Sequence, residues 1–279
     1  MLREMNVQRI AAFSDGDTGG NPAGVVIADA LPDASEMQRI AAEVGFSETA
    51  FAAPAADGWR VRYFSPESEV PFCGHATIAL GAALARRSGN GVFALQLNDA
   101  RITVAGRASD GVMEATLQSP PTRSAAAPPR LVSEVLELFG YREEELDPRI
   151  PPAVIHGGAD HLLLALKTRE ALKAMRYDLD AGRTLMRREQ LVTIVLAWAE
   201  TPQRFHTRNA FASGGVYEDP ATGAATAALA GYLRDLGWPH GGTIDIVQGE
   251  DMGSRSRLRA EITDERGSSV RVSGTARAM

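Results

Sequence analysis

The sequence predicts an α+β protein built as two similar halves, in which mixed or antiparallel sheet accompanies two helices of small residues. Three observations predict it. The stretch EVPFCGHATIALGAAL, residues 69–84, returns 149 residues later as EDPATGAATAALAGYL, residues 218–233, with eight of sixteen positions identical. A chain of 279 residues has room for about two ordinary domains. Around the repeated stretches, short strand patterns separated by turn residues outnumber helix patterns, which disfavours a doubly wound parallel sheet.

In chain order, residues 7–13 read as a strand, Gly16, Gly19, Gly20 and Pro22 as the turn after it, and residues 23–27 as the returning strand. A helix follows: Asp33 or Ser35 can cap it, Met37, Ile40, Ala41 and Val44 recur at helical spacing, and Gly45 ends it. The next segment, FSETAFA over residues 46–52, reads as a strand in which Glu48 shares a face with Phe46 and Ala50. Two surroundings fit that carboxylate. Covered, a carboxylate is desolvated towards the range useful for general acid–base work; on an edge strand it stands in water. Residues 59–64 form another alternating strand leading into the first repeated helix, and Gly89, Asn90 and Gly91 turn the chain into strands at 92–97, 101–105 and 112–117.

Four prolines in SPPTRSAAAPPR mark residues 119–129 as a stiff linker that disfavours regular structure. Beyond it, Val132, Val135, Leu136 and Phe139 trace a helix stopped by Gly140, strands are expected around 154–155, 162–166 and 191–198, and a helix around 170–175. The second repeated helix and further strands complete the chain.

Each repeated stretch carries an acidic residue, a proline, a turn with glycine and then about ten small or apolar residues, the composition of a helix enclosed on every side. The N–H groups of its first turn lack intrahelical partners, so a first turn that opens onto a cleft is an anion site. A plain buried helix with a permissive glycine fits the same residues.

A formal charge of −6 disfavours nonspecific contact with nucleic acid or anionic membrane. The stretch MLREMNVQRIAAF, residues 1–13, lacks the apolar run of a signal peptide, and no segment approaches the ~20 apolar residues that span a bilayer. The one cysteine, Cys73, precludes an internal disulfide and favours a reducing cytoplasm. Histidines at 75, 156, 161, 206 and 240 show no metal-ligand spacing, so no metal is expected.

The motifs GNPAGVV (20–26), FSETAF (46–51), YFSPESEVPFCGHAT (63–77), GVYEDPATGAA (215–225) and QGEDMG (248–253) run in one order over nearly the whole chain. Taken together, they resemble the phenazine-biosynthesis PhzF-like family, within the wider fold group of diaminopimelate epimerase and proline racemase. The resemblance implies two pseudo-symmetric halves, each a curved mixed or antiparallel sheet wrapped around its central helix, with the active site between them. It implies a discontinuous first domain, 1–118 plus about 266–279, a second domain at 130–265, and a homodimer. The activity implied is isomerisation of a small carboxylate by moving a proton between carbons, with no cofactor. Residue by residue, the proton-transferring glutamate falls on Glu48, and the family's histidine and aspartate fall on His75 and Asp219. Cys73, Gly74, Gly223 and Ala224 fall around the substrate. Ala224 stands where the family often has serine, Gly45 and Phe46 precede SET in place of the usual residues, and a family turn reads Gly253, Ser254, Arg255, Ser256. Two other readings stand beside this one: a binding protein on the same fold without turnover, and an epimerase or dehydratase that depends on Cys73, where the residue matching that thiol is Thr222.

Overall fold

Asp33 and Gly45 bound the first helix as the capping pattern requires, and the computed structural model that shows this describes residues 6–279. The first five residues of the N-terminal stretch read above lie outside the described residues. The chain divides into two compact units, one running up to Gln118 and taking in Ser273–Met279, the other Ser119–Val272.

In the first unit, β1 (Val7–Ala12) pairs antiparallel with β2 (Asn21–Ile27). Helix α1 (Ala34–Val44) packs Met37, Ile40 and Ala41 against Val26, Phe51 and Phe64. Gly45 then turns the chain in the left-handed region, φ 72°. Strand β3 (Thr49–Ala55) runs parallel to β2 and antiparallel to β4 (Gly58–Phe64). The two-residue strand β5 (Glu69–Val70) pairs back onto the end of β4 and delivers the chain to α2 (Gly74–Ser88). An antiparallel meander follows, β6 (Gly91–Gln96), β7 (Arg101–Ser109) and β8 (Val112–Gln118), joined to β4 through a parallel β6.

Strands β1, β2, β3, β6, β7 and β8 all touch α2, and residues 75–85 of that helix are buried. Its small residues are a consequence of that enclosure. At Gly106 of β7 an added Cβ would lie 2.1 Å from the carbonyl oxygen of Gly81, so helix and sheet meet backbone to backbone.

The second unit begins inside the proline-rich segment, where the structure differs from the expected linker: β9 (Arg123–Ala126) lies between the two proline pairs and pairs antiparallel with the strand at 153–156. Residues 123–126 keep their N–H groups, and a ladder needs nothing more. Pro129 stands at the first position of α3 (Pro129–Phe139), where a missing N–H goes unnoticed. Next come β10 (Ala153–His156), β11 (Asp160–Ala165), α4 (Arg169–Lys173), α5 (Leu179–Arg188), β12 (Thr193–Thr201) and β13 (Arg204–Ala210). The unit closes with β14 (Glu218–Asp219), α6 (Gly223–Asp235), β15 (Thr243–Gln248) and β16 (Ser256–Glu261). Its pairing is mixed: β11 with β12 and β13 with β15 are parallel, the other pairs antiparallel.

Helix α6 touches β9, β10, β11 and β16, while α3, α4 and α5 cover Leu162, Leu164, Ile194 and Leu196 in a separate apolar layer. Neither α5 nor β13 stands out in the sequence pattern. The final strand, β17 (Arg271–Ala278), starts in the second unit and crosses into the first, where Ala276, Arg277 and Ala278 pair with Ala12, Ala11 and Ile10 of β1. Among the described residues no helix is long and apolar enough to cross a membrane.

Candidate active site

Glu48 lies one residue before β3 rather than within a strand over 46–52. Residues 46–48 are consumed in carrying the chain from the left-handed Gly45 to the sheet. The ladder begins at Glu48 itself, whose carbonyl accepts from the Gly24 amide at 3.1 Å. Because β3 has β2 on one side and β4 on the other, it is an interior strand, and the edge-strand alternative is excluded. The Glu48 side chain is 14% exposed. Its Oε2 lies 3.4 Å from Nε2 of His75, and Ser47 Oγ lies 3.4 Å from the same nitrogen.

His75 is the second residue of α2, and Cys73 is the residue at the helix's N-cap. Cys73 offers no side-chain hydrogen bond to the first turn, and that turn holds no acidic residue. The cysteine Sγ sits 3.3 Å from Nδ1 of His75. Thr77 anchors the same turn, donating to the Cys73 carbonyl at 2.7 Å while Tyr63 Oη lies 2.7 Å from its hydroxyl. Donor atoms of Glu48, Cys73 and His75 all lie within 4.8 Å of one another. The fold thus brings together three of the residues singled out in the sequence, with Gly74 between two of them. The linear spacing of the histidines did not show this cluster, because the partners of His75 are a neighbouring cysteine and a glutamate from before β3, not a second histidine.

In the second unit, Asp219 ends β14 and is buried, accepting a hydrogen bond from the Thr222 hydroxyl. Gly223 and Ala224 open α6, whose N-cap residue Thr222 likewise makes no side-chain cap. Gln248 holds this corner. Its Nε2 donates to the Asp219 carbonyl at 2.7 Å and lies 3.0 Å from Thr222 Oγ1, and its Oε1 accepts from the Thr222 amide at 3.1 Å.

Sequence reasoning missed two supports. Glu69 receives Arg62 through Nε at 2.7 Å and Nη2 at 2.5 Å, and that guanidinium holds its carboxyl below the usual carboxylate range. Glu218 receives Arg208 through Nε at 3.0 Å and Nη2 at 2.5 Å, and Arg208 also donates to the Lys173 carbonyl at 2.9 Å. The pairings match position for position. Tyr63 faces Val70 and Phe64 faces Glu69, as Asn209 faces Asp219 and Ala210 faces Glu218. The identical glutamates of the repeat were the available signal; their arginines lie upstream of the repeated stretches.

Residues 10–279 match the model of the PhzC-PhzF family, described as phenazine biosynthesis-like protein. The chain belongs to this family. A trans-2,3-dihydro-3-hydroxyanthranilate isomerase of Pseudomonas aeruginosa is 32% identical over 272 residues, covering 95% of this chain and 94% of that protein. The crystal structure of a Bacillus anthracis phenazine biosynthesis protein of the PhzF family superposes with a TM-score of 0.86 at 23% identity, covering 99% and 97% of the two chains. A hydroxyproline epimerase of Agrobacterium vitis shares the fold more distantly, with a TM-score of 0.61 at 11% identity over 99% of this chain and 89% of that one. Relatives 31–32% identical to this chain are named isomerases, which supports an isomerase here.

Proposed function

We propose that this chain is a cofactor-independent isomerase that moves a proton between carbons of a small carboxylate substrate, with Glu48 as the general acid–base. The observation that carries the reading is the placement of a mostly covered Glu48 carboxylate beside His75, at a helix start whose first-turn amides have no side-chain cap. In this reading those amides take the substrate carboxylate, since they are oriented donors at the positive end of the helix dipole. Glu48 removes a proton from a carbon acidified by a neighbouring double bond or carboxylate and returns it elsewhere on the same face. His75 supports the charge change on Glu48, its Nε2 lying 3.4 Å from the carboxylate.

The same reading takes the two units as repeats of one architecture and gives Asp219, Gly223 and Ala224 a role in holding substrate. Support comes from the matched register of β4–β5–α2 and β13–β14–α6 and from the arginine clamp on each repeated glutamate. The relative named for trans-2,3-dihydro-3-hydroxyanthranilate makes that compound the first to try. Ala224 lacks the hydroxyl expected at its position, so other cyclic carboxylates belong in the same screen.

The test is deuterium wash-in from solvent, wild type against Glu48→Gln. The variant keeps the shape of the side chain and removes the base, so exchange falls about 10²–10⁴-fold. Undiminished exchange would end the assignment.

A second reading is favoured by the 3.3 Å approach of Cys73 Sγ to Nδ1 of His75, which places a thiol beside an imidazole nitrogen. It makes Cys73 the base of an epimerase or dehydratase. Cys73→Ala separates the two: under the Glu48 reading exchange survives, under the Cys73 reading it disappears.

A further inference from the structure

Among the described residues, Glu48, Cys73 and His75 are the set whose carboxylate, thiol and imidazole converge closely enough to share one ion. Zinc binds thiolate sulfur at about 2.3 Å and imidazole nitrogen or carboxylate oxygen at about 2.0–2.2 Å, so donors of a tetrahedral site lie about 3.3–3.8 Å apart. Here Nε2 of His75 is 3.4 Å from Glu48 Oε2 and 4.0 Å from Cys73 Sγ. Because Cys73 Sγ lies nearer Nδ1, at 3.3 Å, the site is completed when the thiol turns towards the Nε2 side. Cys73 and His75 are only 8% and 6% exposed, so little conformational entropy is left to lose when an ion arrives. Ser47 Oγ, 3.4 Å from the same imidazole nitrogen, leaves a fourth position for its own oxygen or a water. A thiolate with an imidazole selects zinc over the oxygen-seeking magnesium and calcium.

We propose that Glu48, Cys73 and His75 form a reversible Zn²⁺ site that, when filled, withdraws the Glu48 carboxylate from proton transfer. On binding, the Cys73 thiol releases its proton to solvent, and the ion's two positive charges are matched by one thiolate and one carboxylate. The convergence of these three donor types carries the binding step. The block on turnover rests also on the Glu48 reading above.

The binding test uses the full chain, stripped with a chelator and titrated with Zn²⁺ by equilibrium dialysis, and with Co²⁺ as a spectroscopic probe. One Zn²⁺ per chain is expected, with a thiolate-to-Co²⁺ absorption band in the near ultraviolet. Removing a direct ligand should cost no less than removing a supporting one, so Cys73→Ala, His75→Gln and Glu48→Gln each weaken binding at least ~10-fold. His206→Gln should leave it unchanged, although His206 lies 3.2 Å from both Glu200 and Glu250. Absence of stoichiometric binding, or binding that survives the three variants, would overturn the site, and loss of binding with His206→Gln would place the ion elsewhere. Should Cys73→Ala not fold, the wild-type Co²⁺ spectrum decides the matter by the presence or absence of the thiolate band. Wash-in with and without Zn²⁺ keeps the two readings apart. Tight binding with undiminished exchange strikes the Glu48 assignment and leaves the metal site standing; no binding does the reverse.

Discussion

His161 shows what one buried side chain does to the whole chain's response to acid. It is fully buried, with Nδ1 2.7 Å from Thr193 Oγ1 and no partner at Nε2, and burial pushes its imidazole down to about 3. Unfolded, the same group titrates near ~6.5. Above that value neither state carries the proton, and the residue adds no pH dependence. As pH falls through the window from ~6.5 to about 3, the unfolded chain takes up a proton that the folded chain refuses, so stability falls by up to ~1.4 kcal/mol per pH unit. His161→Gln should flatten this fall, by about 2 kcal/mol in the comparison of urea unfolding near pH 7 and near pH 5. Parallel curves for variant and wild type would contradict it. Glu48 is a different kind of residue, a mostly covered carboxylate one residue before an interior strand and 3.4 Å from His75. Its replacement by Gln, which keeps the shape of the side chain and can still meet His75, should lower proton exchange while changing the free energy of urea unfolding by no more than ~1 kcal/mol.

Helix starts and close backbone approaches determine what the elements can do. Gln248 reaches from β15 to tie down the turn before α6, and truncation to Ala leaves the Thr222 amide and the buried Asp219 carbonyl short of a partner. An unpaired buried group costs about 1–3 kcal/mol, so Gln248→Ala should unfold at lower urea. Gln248→Glu, which keeps the acceptor for Thr222 and loses the donor, should recover only part of that loss. On α2 the corresponding constraint is steric. Gly106→Ala drives a methyl group into the Gly81 carbonyl and should destabilise by about 1–3 kcal/mol. Gly91→Ala, on the same meander with nothing within 4 Å of the added Cβ, is the neutral comparison.

At the scale of the molecule, the first unit is completed by the last residues of the chain. Strand β17 supplies β1 with its second neighbour, and the Ser14 amide donates to the Thr275 carbonyl at 3.0 Å and the Met279 amide to the Arg9 carbonyl at 2.9 Å. Deleting Ser273–Met279 removes these bonds together, each worth ~1 kcal/mol net, and exposes the edge of β1. The truncated chain should lose at least ~3 kcal/mol in urea unfolding, with the first unit melting before the second. Coincident loss of both units at an unchanged midpoint would show that the strand is dispensable.

Much of this is legible in the residues alone. The helix caps at Asp33 and Gly45, the two enclosed helices and the meander after Gly91 follow from local chemistry: side-chain period, capping oxygens and glycine's access to positive φ. Glu48, Cys73 and His75 stood out through their motifs. Strand β9 did not, because four prolines outweigh four ordinary residues in any local reading, and α5 and β13 lack a pattern strong enough to declare itself. The sequence by itself determined which helices would be enclosed, since only small residues let strands approach from every side. Only the tertiary structure decided that Glu48, Cys73 and His75 share one corner and that Arg62 and Arg208 grip the repeated glutamates. Those contacts join residues from separate elements, and pairing across a fold is set by packing, which local spacing does not encode.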